Sequence, residues 1–441
     1  MRIEKELKKR DLGAASRFLY ESSMPRNVQF LLAALLELNF EEMFAGGRYH
    51  QLSDLSGFPK FGQDLAYPKR KQLMLPELKD SADIFNVLHT RDILLHLPYQ
   101  SYNPILSFFN QAAVDTGVTD IYITLYRVAA ESHIINALIS AAKNGKRVIA
   151  FIELKARFDE GNNIKWSKEM KKAGITIIYS IPNIKVHSKI AIIKKNTGNQ
   201  VLSYALLSTG NFNEITAQFY TDHVLMTTDP SIINELLLLF RILQKEGTDR
   251  LKTKAVFDKL LVSQFNMKEQ FEKLIETEVQ KAKTGKEALI RIKLNNLEEQ
   301  SLIQLLYKAS EAGVQVQIIV RSICCLLPGK AGLSSNIHVK RLVDRYLEHS
   351  RFFIFGTDAH AEIIMGSADW MNRNIHHRIE VCVPIVAADC KKELLDYFTL
   401  QWNDHTKTTR VGMGADSILP EAGTNNGTGA QQLIYEYLEK K

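Results

Sequence analysis

Cysteine is scarce: Cys324, Cys325, Cys382 and Cys390 are the only four in 441 residues, with no C-x-x-C pair and no His–Cys metal spacing. That excludes a disulfide scaffold, and the four read as reduced core residues of a cytosolic protein. Long apolar runs are lacking as well. The two most apolar stretches, residues 28–40 and 232–243, are broken by Glu37 and by Glu235 and Arg241. Both fall short of the roughly 20 residues a membrane span needs, so they are expected to be buried or amphipathic helices, with no transmembrane segment. The opening MRIEKELKKRD has no apolar core after its charges, so no secretory signal is expected. With 11 prolines and 23 glycines, collagen-like and disordered readings fail. Charge of one sign is not in large excess either: 56 basic against 49 acidic residues leave +7. So small a surplus does not imply nucleic acid, though it favours polyanionic partners over cationic ones.

What is present is ordinary globular material, 45% apolar and 24% charged, enough for two or three buried cores. Residues 1–75 are charged, are expected to be helix-rich and end in a Gly- and Pro-punctuated stretch. From about 95 the text changes to short β-branched strands alternating with amphipathic helices: DIYITLYR, then SHIINALISAAKNG, then KRVIAFIELKAR. Strand, helix, strand at this spacing is a βαβ unit and predicts an α/β fold with a mostly parallel sheet.

The grammar returns 168 residues later as ALIRIKLNN, SLIQLLYKASEAG and VQVQIIVRS. The first helix carries Ile134, Ile135, Leu138, Ala141 and Ala142 before Gly145. The second carries Leu302, Ile303, Leu306, Ala309 and Ser310 before Gly313. Each set makes one apolar stripe on a helix that a glycine then stops. The expected organisation is residues 1–94 as a leading remnant and linker, 95–260 and 261–408 as two domains of one fold, and 409–441 as a Gly-rich tail with a short helix.

Each half also carries a histidine placed the same way. His187 is followed two residues on by Lys189, and His349 by Arg351; a small-residue turn ending in Asn211 or Asp369 lies about 20 residues downstream. Residues two apart on a strand share a face. An imidazole beside a cation suits covalent phosphoryl chemistry: the neutral ring attacks phosphorus while the cation holds the non-bridging oxygens. Duplication would set both pairs across one cleft. A metal site is a weaker reading, because no second His, Cys or carboxylate sits at ligand spacing around either histidine.

His-x-Lys and His-x-Arg in tandem α/β halves resemble the phospholipase D superfamily. The wider text is more specific. LHLPYQSY (95–102), TLYR (124–127), ELKARFDE (153–160), KVHSKIAII (185–193), STGNFNEITAQFYTD (208–222), YLEHSR (346–351) and SADWMNRN (367–374) together resemble the bacterial polyphosphate kinase family over essentially 75–441. Residues 1–75 look like the tail of that family's helical head domain. The resemblance implies two phospholipase D-like domains and reversible transfer of the ATP γ-phosphate to inorganic polyphosphate through a phosphohistidine. It implies Mg²⁺ as cofactor, ATP and polyphosphate as partners with no nucleic acid, a cytoplasmic location, and a homo-oligomer in the full-length family; it leaves peripheral membrane association open.

Carried over by position, His187 would be the phosphorylated nucleophile and His349 the second active-site histidine, which touches nucleotide phosphate. Tyr220 and Arg321 match nucleotide-contacting positions, and Arg127 and Arg157 match magnesium-associated ones. A guanidinium has no lone pair for a cation, so both arginines are read as phosphate clamps, with Mg²⁺ arriving on the nucleotide's own oxygens. Lys189, Arg351 and Arg378 are further clamp candidates. Asp222 and Glu380, with Asn211, are candidates to orient the histidines by accepting the Nδ1 proton. Two other readings stay open: a phospholipase D-type phosphodiesterase, which would want Lys where Arg351 stands, and a non-catalytic polyanion-binding module.

Overall fold

The structure is a computed structural model. It describes residues 17–50, 52–59, 61–62, 66–78, 83–156, 159–179, 184–245, 254–357, 360–413, 417–418 and 427–441. The chain divides into two compact units, residues 1–70 and 71–441.

The first unit holds a parallel pair, β1 (Phe18–Glu21) and β2 (Met43–Gly46), and one helix, α1 (Arg26–Leu35). The helix-rich expectation for this stretch therefore meets a single α-helix among the described residues. It stops early because Glu37 takes a left-handed backbone (φ 51°) and Asn39 with Glu42 forms a capping box that opens a new turn. Within this unit Phe30, Leu31 and Leu35 are exposed, so residues 28–40 form no buried helix.

The second unit runs α2 (Ile84–Thr90), β3 (Ile93–Leu97), α3 (Asn103–Val114), β4 (Val118–Leu125), α4 (His133–Lys143), β5 (Arg147–Ile152), α5 (Glu160–Lys172), β6 (Thr176–Tyr179), β7 (Lys185–Val186), β8 (Ile190–Asn196), β9 (Val201–Ser208), β10 (Tyr220–Thr227) and α6 (Pro230–Gln244). It continues with β11 (Leu261–Val262), α7 (Met267–Lys283), β12 (Leu289–Leu294), α8 (Gln300–Glu311), β13 (Gln315–Val320), β14 (Ile337–Leu342), β15 (Leu347–Glu348), β16 (Phe352–Phe355) and β17 (Glu362–Gly366). The chain closes with α9 (Asn372–His376), β18 (Arg378–Ile379), β19 (Val381–Pro384), α10 (Ala388–Trp402), β20 (Thr408–Val411), β21 (Ser417–Ile418) and α11 (Ala430–Glu439).

Both βαβ units form as the text predicts. β4 pairs parallel with β5 across α4, and β12 with β13 across α8; Gly145 (φ 81°) and Gly313 (φ 99°) end the helices in the left-handed region where a side chain would be strained. The fold class is α/β, built on two mixed sheets of eight and nine strands. The expectation of mostly parallel sheets needs correcting. Only β4–β5–β6, β12–β13–β14 and the β10–β15 contact are parallel within them; β8, β9, β16 and β17 pair antiparallel. The reason is connection length: β8 to β9 and β16 to β17 are joined by short turns, which leave no room for the crossover a parallel pair requires.

Residues 232–243 fall in α6, whose Asp229 caps the backbone N–H of Ser231 at 2.8 Å, and which buries Ile232, Ile233, Leu236, Leu239, Phe240 and Leu243. That face shares one core with strands of both sheets, among them Tyr122, Ile190, Phe352 and Ile363, and with Leu394, Tyr397 and Phe398 of α10. The two halves thus fold as one body. Of the cysteines, all free, Cys382 and Cys390 are buried, but Cys325 is exposed and Cys324 half-buried. Those two sit past the end of β13, in the loop that follows it, not in the core.

Candidate active site

The histidine strands cross over. β7 pairs parallel with β18 of the other half, Lys185 opposite Arg378 and Val186 opposite Ile379. β15 pairs parallel with β10 of the first half, Tyr220 opposite Leu347 and Thr221 opposite Glu348. Each histidine follows its short strand directly, so each is delivered to a carboxylate of the opposite half. His187 Nδ1 lies 2.9 Å from Glu380 Oε2, and His349 Nδ1 lies 2.9 Å from both oxygens of Asp222.

The two carboxylates are held alike. Thr209 Oγ1 donates to Asp222 Oδ1 (2.6 Å) and accepts the backbone N–H of His223 (3.0 Å). Ser367 Oγ donates to Glu380 Oε2 and accepts the backbone N–H of Val381 (3.2 Å). Threonine and serine stand 13 residues before their carboxylates in both halves. Asn374 Nδ2 adds a bond to Glu380 Oε1 at 2.6 Å.

Burial and charge set the protonation states. Burial would raise both carboxyls, but the neighbouring imidazoles and cations win. Glu380 is held at about 2 by His187, Lys189 and Arg378, and Asp222 is lowered by His349, Thr209 and Arg351. Ionised carboxylates only accept, so each Nδ1 carries the proton and each Nε2 keeps its lone pair. Burial lowers both histidines; His187 is pushed down to about 3, Lys189 and Arg378 adding to the effect while Glu380 opposes it. A neutral imidazole with a free Nε2 is a nucleophile throughout the neutral range.

The two clusters adjoin: the Ser208 N–H, beside Thr209, donates to the Lys189 carbonyl at 2.9 Å, and the Gly366 N–H, beside Ser367, donates to the Arg351 carbonyl at 3.1 Å. Arg351 Nη1 lies 3.4 Å from His349 Nε2 and donates to the Thr209 carbonyl at 3.1 Å. The charges of Arg351 and Asp222 act on Lys189, and that of Glu380 acts on Arg351. Lys189 is 2% exposed, its Nζ donates to the His187 carbonyl, and burial depresses its pKa. Arg351 is bound by Asp369 through Nε (3.2 Å) and Nη2 (3.4 Å). Asp369 thus occupies much of this guanidinium. The sequence placed Asp369 opposite Asn211 in the matching turn but gave it no task. Tyr126, whose ring stands edge-on 4.6 Å from His187, gave no signal at all.

Around this centre, the Tyr220 ring lies 5.1 Å from His349. Arg321 stands just past β13; its Nε is buried with no hydrogen-bond partner in the structure, as is Asn211 Oδ1. Arg127, just past β4, pairs with Asp159 Oδ2 at 3.2 Å and is 41% exposed. Arg378 Nη1 is 3.7 Å from Glu380 Oε1. Arg157 lies outside the described residues. Among the described residues no group of three His, Cys, Asp or Glu side chains could hold a metal ion. The donors present, mostly cations and imidazoles, do not fit a resident Mg²⁺.

Comparison with known proteins meets this geometry directly. Residues 83–249 match the family model "Polyphosphate kinase C-terminal domain 1", and residues 260–425 match "Polyphosphate kinase C-terminal domain 2". The chain belongs to the polyphosphate kinase family. It is 37% identical to a polyphosphate kinase of Vibrio cholerae over 427 residues, 96% of this chain and 60% of that protein. It is 36% identical to the Escherichia coli polyphosphate kinase over 445 residues, 99% of this chain and 63% of that one. The crystal structure of Porphyromonas gingivalis polyphosphate kinase superposes with a TM-score of 0.86 at 39% identity, covering 96% of this chain and 64% of that chain. The chain therefore spans about three-fifths of the length of the polyphosphate kinases it matches. A phosphatidylserine synthase of Haemophilus influenzae, at 10% identity and TM-score 0.50, shares the fold.

Proposed function

We propose that this chain carries the phosphoryl-transfer centre of a polyphosphate kinase, moving the γ-phosphate of ATP to inorganic polyphosphate through a phosphohistidine at His187. The observation that supports it is the crossed pair: two imidazoles, each with Nδ1 held by a carboxylate of the opposite half, His187 Nε2 keeping its lone pair and His349 Nε2 meeting Arg351.

His187 Nε2 attacks the γ-phosphorus, a P–N bond forms, and the P–O bond to the β-phosphate breaks. ADP leaves as the oxyanion, its charge met by the Arg351 guanidinium beside His349, so no proton has to be supplied to it. A terminal oxygen of polyphosphate then attacks the same phosphorus, and the P–N bond breaks, returning His187 to its neutral form. The ionised carboxylates of Glu380 and Asp222, accepting from Nδ1, keep both imidazoles in one tautomer, and Glu380 offsets the positive charge His187 gains as the P–N bond forms. Lys189, Arg351 and Arg378 offset charge on the transferring oxygens. Arg321 and Tyr220 are placed to meet the nucleotide, and Arg127, with Arg157, a phosphate chain. Mg²⁺ enters on the nucleotide as part of the substrate, and no step is assigned to a protein-held ion.

Among the described residues no helix is long and apolar enough to cross a membrane. With four free cysteines, we place the protein in the cytoplasm.

Isotope exchange tests the scheme. With polyphosphate absent, labelled ADP should exchange into ATP in wild type and not in His187→Ala. No exchange in wild type, or exchange that survives H187A, contradicts it. Cleavage of a phosphodiester without ATP would instead support the phosphodiesterase reading.

A further inference from the structure

β15 is only two residues long, yet it delivers His349. Two residues of ladder are a weak hold on a reacting group, so something else must fix this segment. Successive strand residues point to opposite faces, and Glu348 turns away from His349 into the interior. There its carboxylate, 3% exposed as a residue, is fully engaged. Lys293 Nζ reaches Oε2 at 2.7 Å, Thr221 Oγ1 and Gln401 Nε2 each donate to Oε2 at 3.0 Å, and Gln431 Nε2 donates to Oε1 at 2.8 Å. Thr221 Oγ1 in turn accepts the backbone N–H of His349 at 3.1 Å.

Gln431 does more than meet Glu348. Its Oε1 accepts the backbone N–H of Tyr346 at 2.8 Å, and its Nε2 donates to the Tyr346 carbonyl at 2.9 Å. One side-chain amide thus satisfies both backbone groups of the residue entering β15, as a neighbouring strand would. Gln431 is 1% exposed and belongs to the first turn of α11. The helix is itself tied down. Asp404 Oδ2 accepts the Ala430 N–H (2.6 Å), Tyr437 Oη donates to Asp396 (2.7 Å), and Ile434 and Leu438 enter the shared core.

We propose that Gln431 is a positioning residue for His349: the terminal helix α11 docks a side-chain amide as a surrogate strand, and so sets the segment on which the second histidine rides. The proposal rests on the reading that His349 works at the transferred phosphoryl group. The tail is thereby given a part in transfer without touching substrate.

The test follows histidine C2 hydrogen–deuterium exchange by mass spectrometry, which titrates each ring separately and needs no activity. In Gln431→Leu the His349 midpoint should rise by about half a unit or more as water reaches its segment, while that of His187 stays put. Gln432→Leu, one position along the same helix, should move neither. Phosphoryl transfer in Q431L should fall about tenfold or more, as for a group displaced by less than an ångström. In a His349→Ala background the same change should cost less than about twofold, because the loss acts through His349. An unmoved His349, a His187 that moves with it, or an equal loss in both backgrounds would overturn the proposal. If Q431L does not fold, Gln431→Asn, one methylene too short to bridge, carries the same comparisons. Wild type without transfer would defeat the kinase reading, and the exchange measurement alone would then decide the positioning claim.

Discussion

At His187, burial governs the charge state more than any neighbour does. With its pKa pushed down to about 3, the imidazole is neutral across the neutral range, so an acid fall in rate around the free-histidine value of about 6.5 does not come from this residue. Histidine C2 exchange at His187 should show no titration midpoint between pH 7 and 5; a midpoint at about 6.5 would show His187 charging. Its tautomer depends on Glu380. Glu380→Gln can still accept from Nδ1, but it loses the charge that stabilises the ring as it turns cationic, and phosphorylation should slow by about a hundredfold in single-turnover quench measurements. Gly210 is a sharper test of position. A Cβ there would sit 2.0 Å from Asp222 Oδ2, so Gly210→Ala must push the carboxylate off His349. Transfer should drop by about a hundredfold and the melting temperature should fall as well, since a buried carboxylate leaves its partners; unchanged kinetics would show that this carboxylate does not orient the ring.

At the scale of elements, the parts legible in the sequence were those whose signals lie within about 30 residues. The two βαβ units, the glycines that stop α4 and α8, and the paired His-x-cation strands all fall in that range. What could not be read lies across long separations. Glu380 is 193 residues from His187, and Asp222 is 127 from His349. Alternation on one strand cannot say which distant carboxylate will face it; Asp222 and Glu380 were candidates to accept an Nδ1 proton, with no histidine assigned to either. The antiparallel half of each sheet was missed because β8 and β9, or β16 and β17, read as apolar strands whichever way they run. Asp369 was placed at the end of its turn but left without a role, because its task, binding Arg351, appears only once the turn folds over. One element-scale consequence is the Lys293–Glu348 pair, both side chains 2% exposed. Lys293→Met leaves a buried carboxylate without its cation and should cost about 3–5 kcal/mol in denaturant unfolding. A loss below about 1 kcal/mol would mean that Gln401, Gln431 and Thr221 satisfy Glu348 unaided.

Across the second unit, the interlocked halves make the site and the fold a single cooperative object. β7 with β18 and β10 with β15 tie the halves by strand pairing, and the core behind them draws on both sheets. Acid should therefore act partly through the site itself. Glu380 in the site, and Glu393 of α10, which pairs outside it with buried His96 at 2.7 Å, are both held at about 2 and lend stability above the unfolded carboxyl value of about 4.5 that is lost as pH falls toward 2. His187 acts in the same direction: buried neutral, it loses to the unfolded state, which binds a proton below about 6.5. Urea midpoints should decline from pH 7 toward pH 2.5, through His187 below about 6.5 and through the carboxylates below about 4.5, with the upper part of the decline shallower in His187→Ala. A flat wild-type profile would contradict these assignments.

The most direct test of the central claim is to locate the phosphate. The chain is mixed with ATP labelled in the γ position, without polyphosphate, quenched in alkali and mapped by mass spectrometry. Label should sit on His187 alone, resist base, come off in acid and disappear on adding polyphosphate. Label on another residue, or none on His187 while ATP is being turned over, would contradict the account.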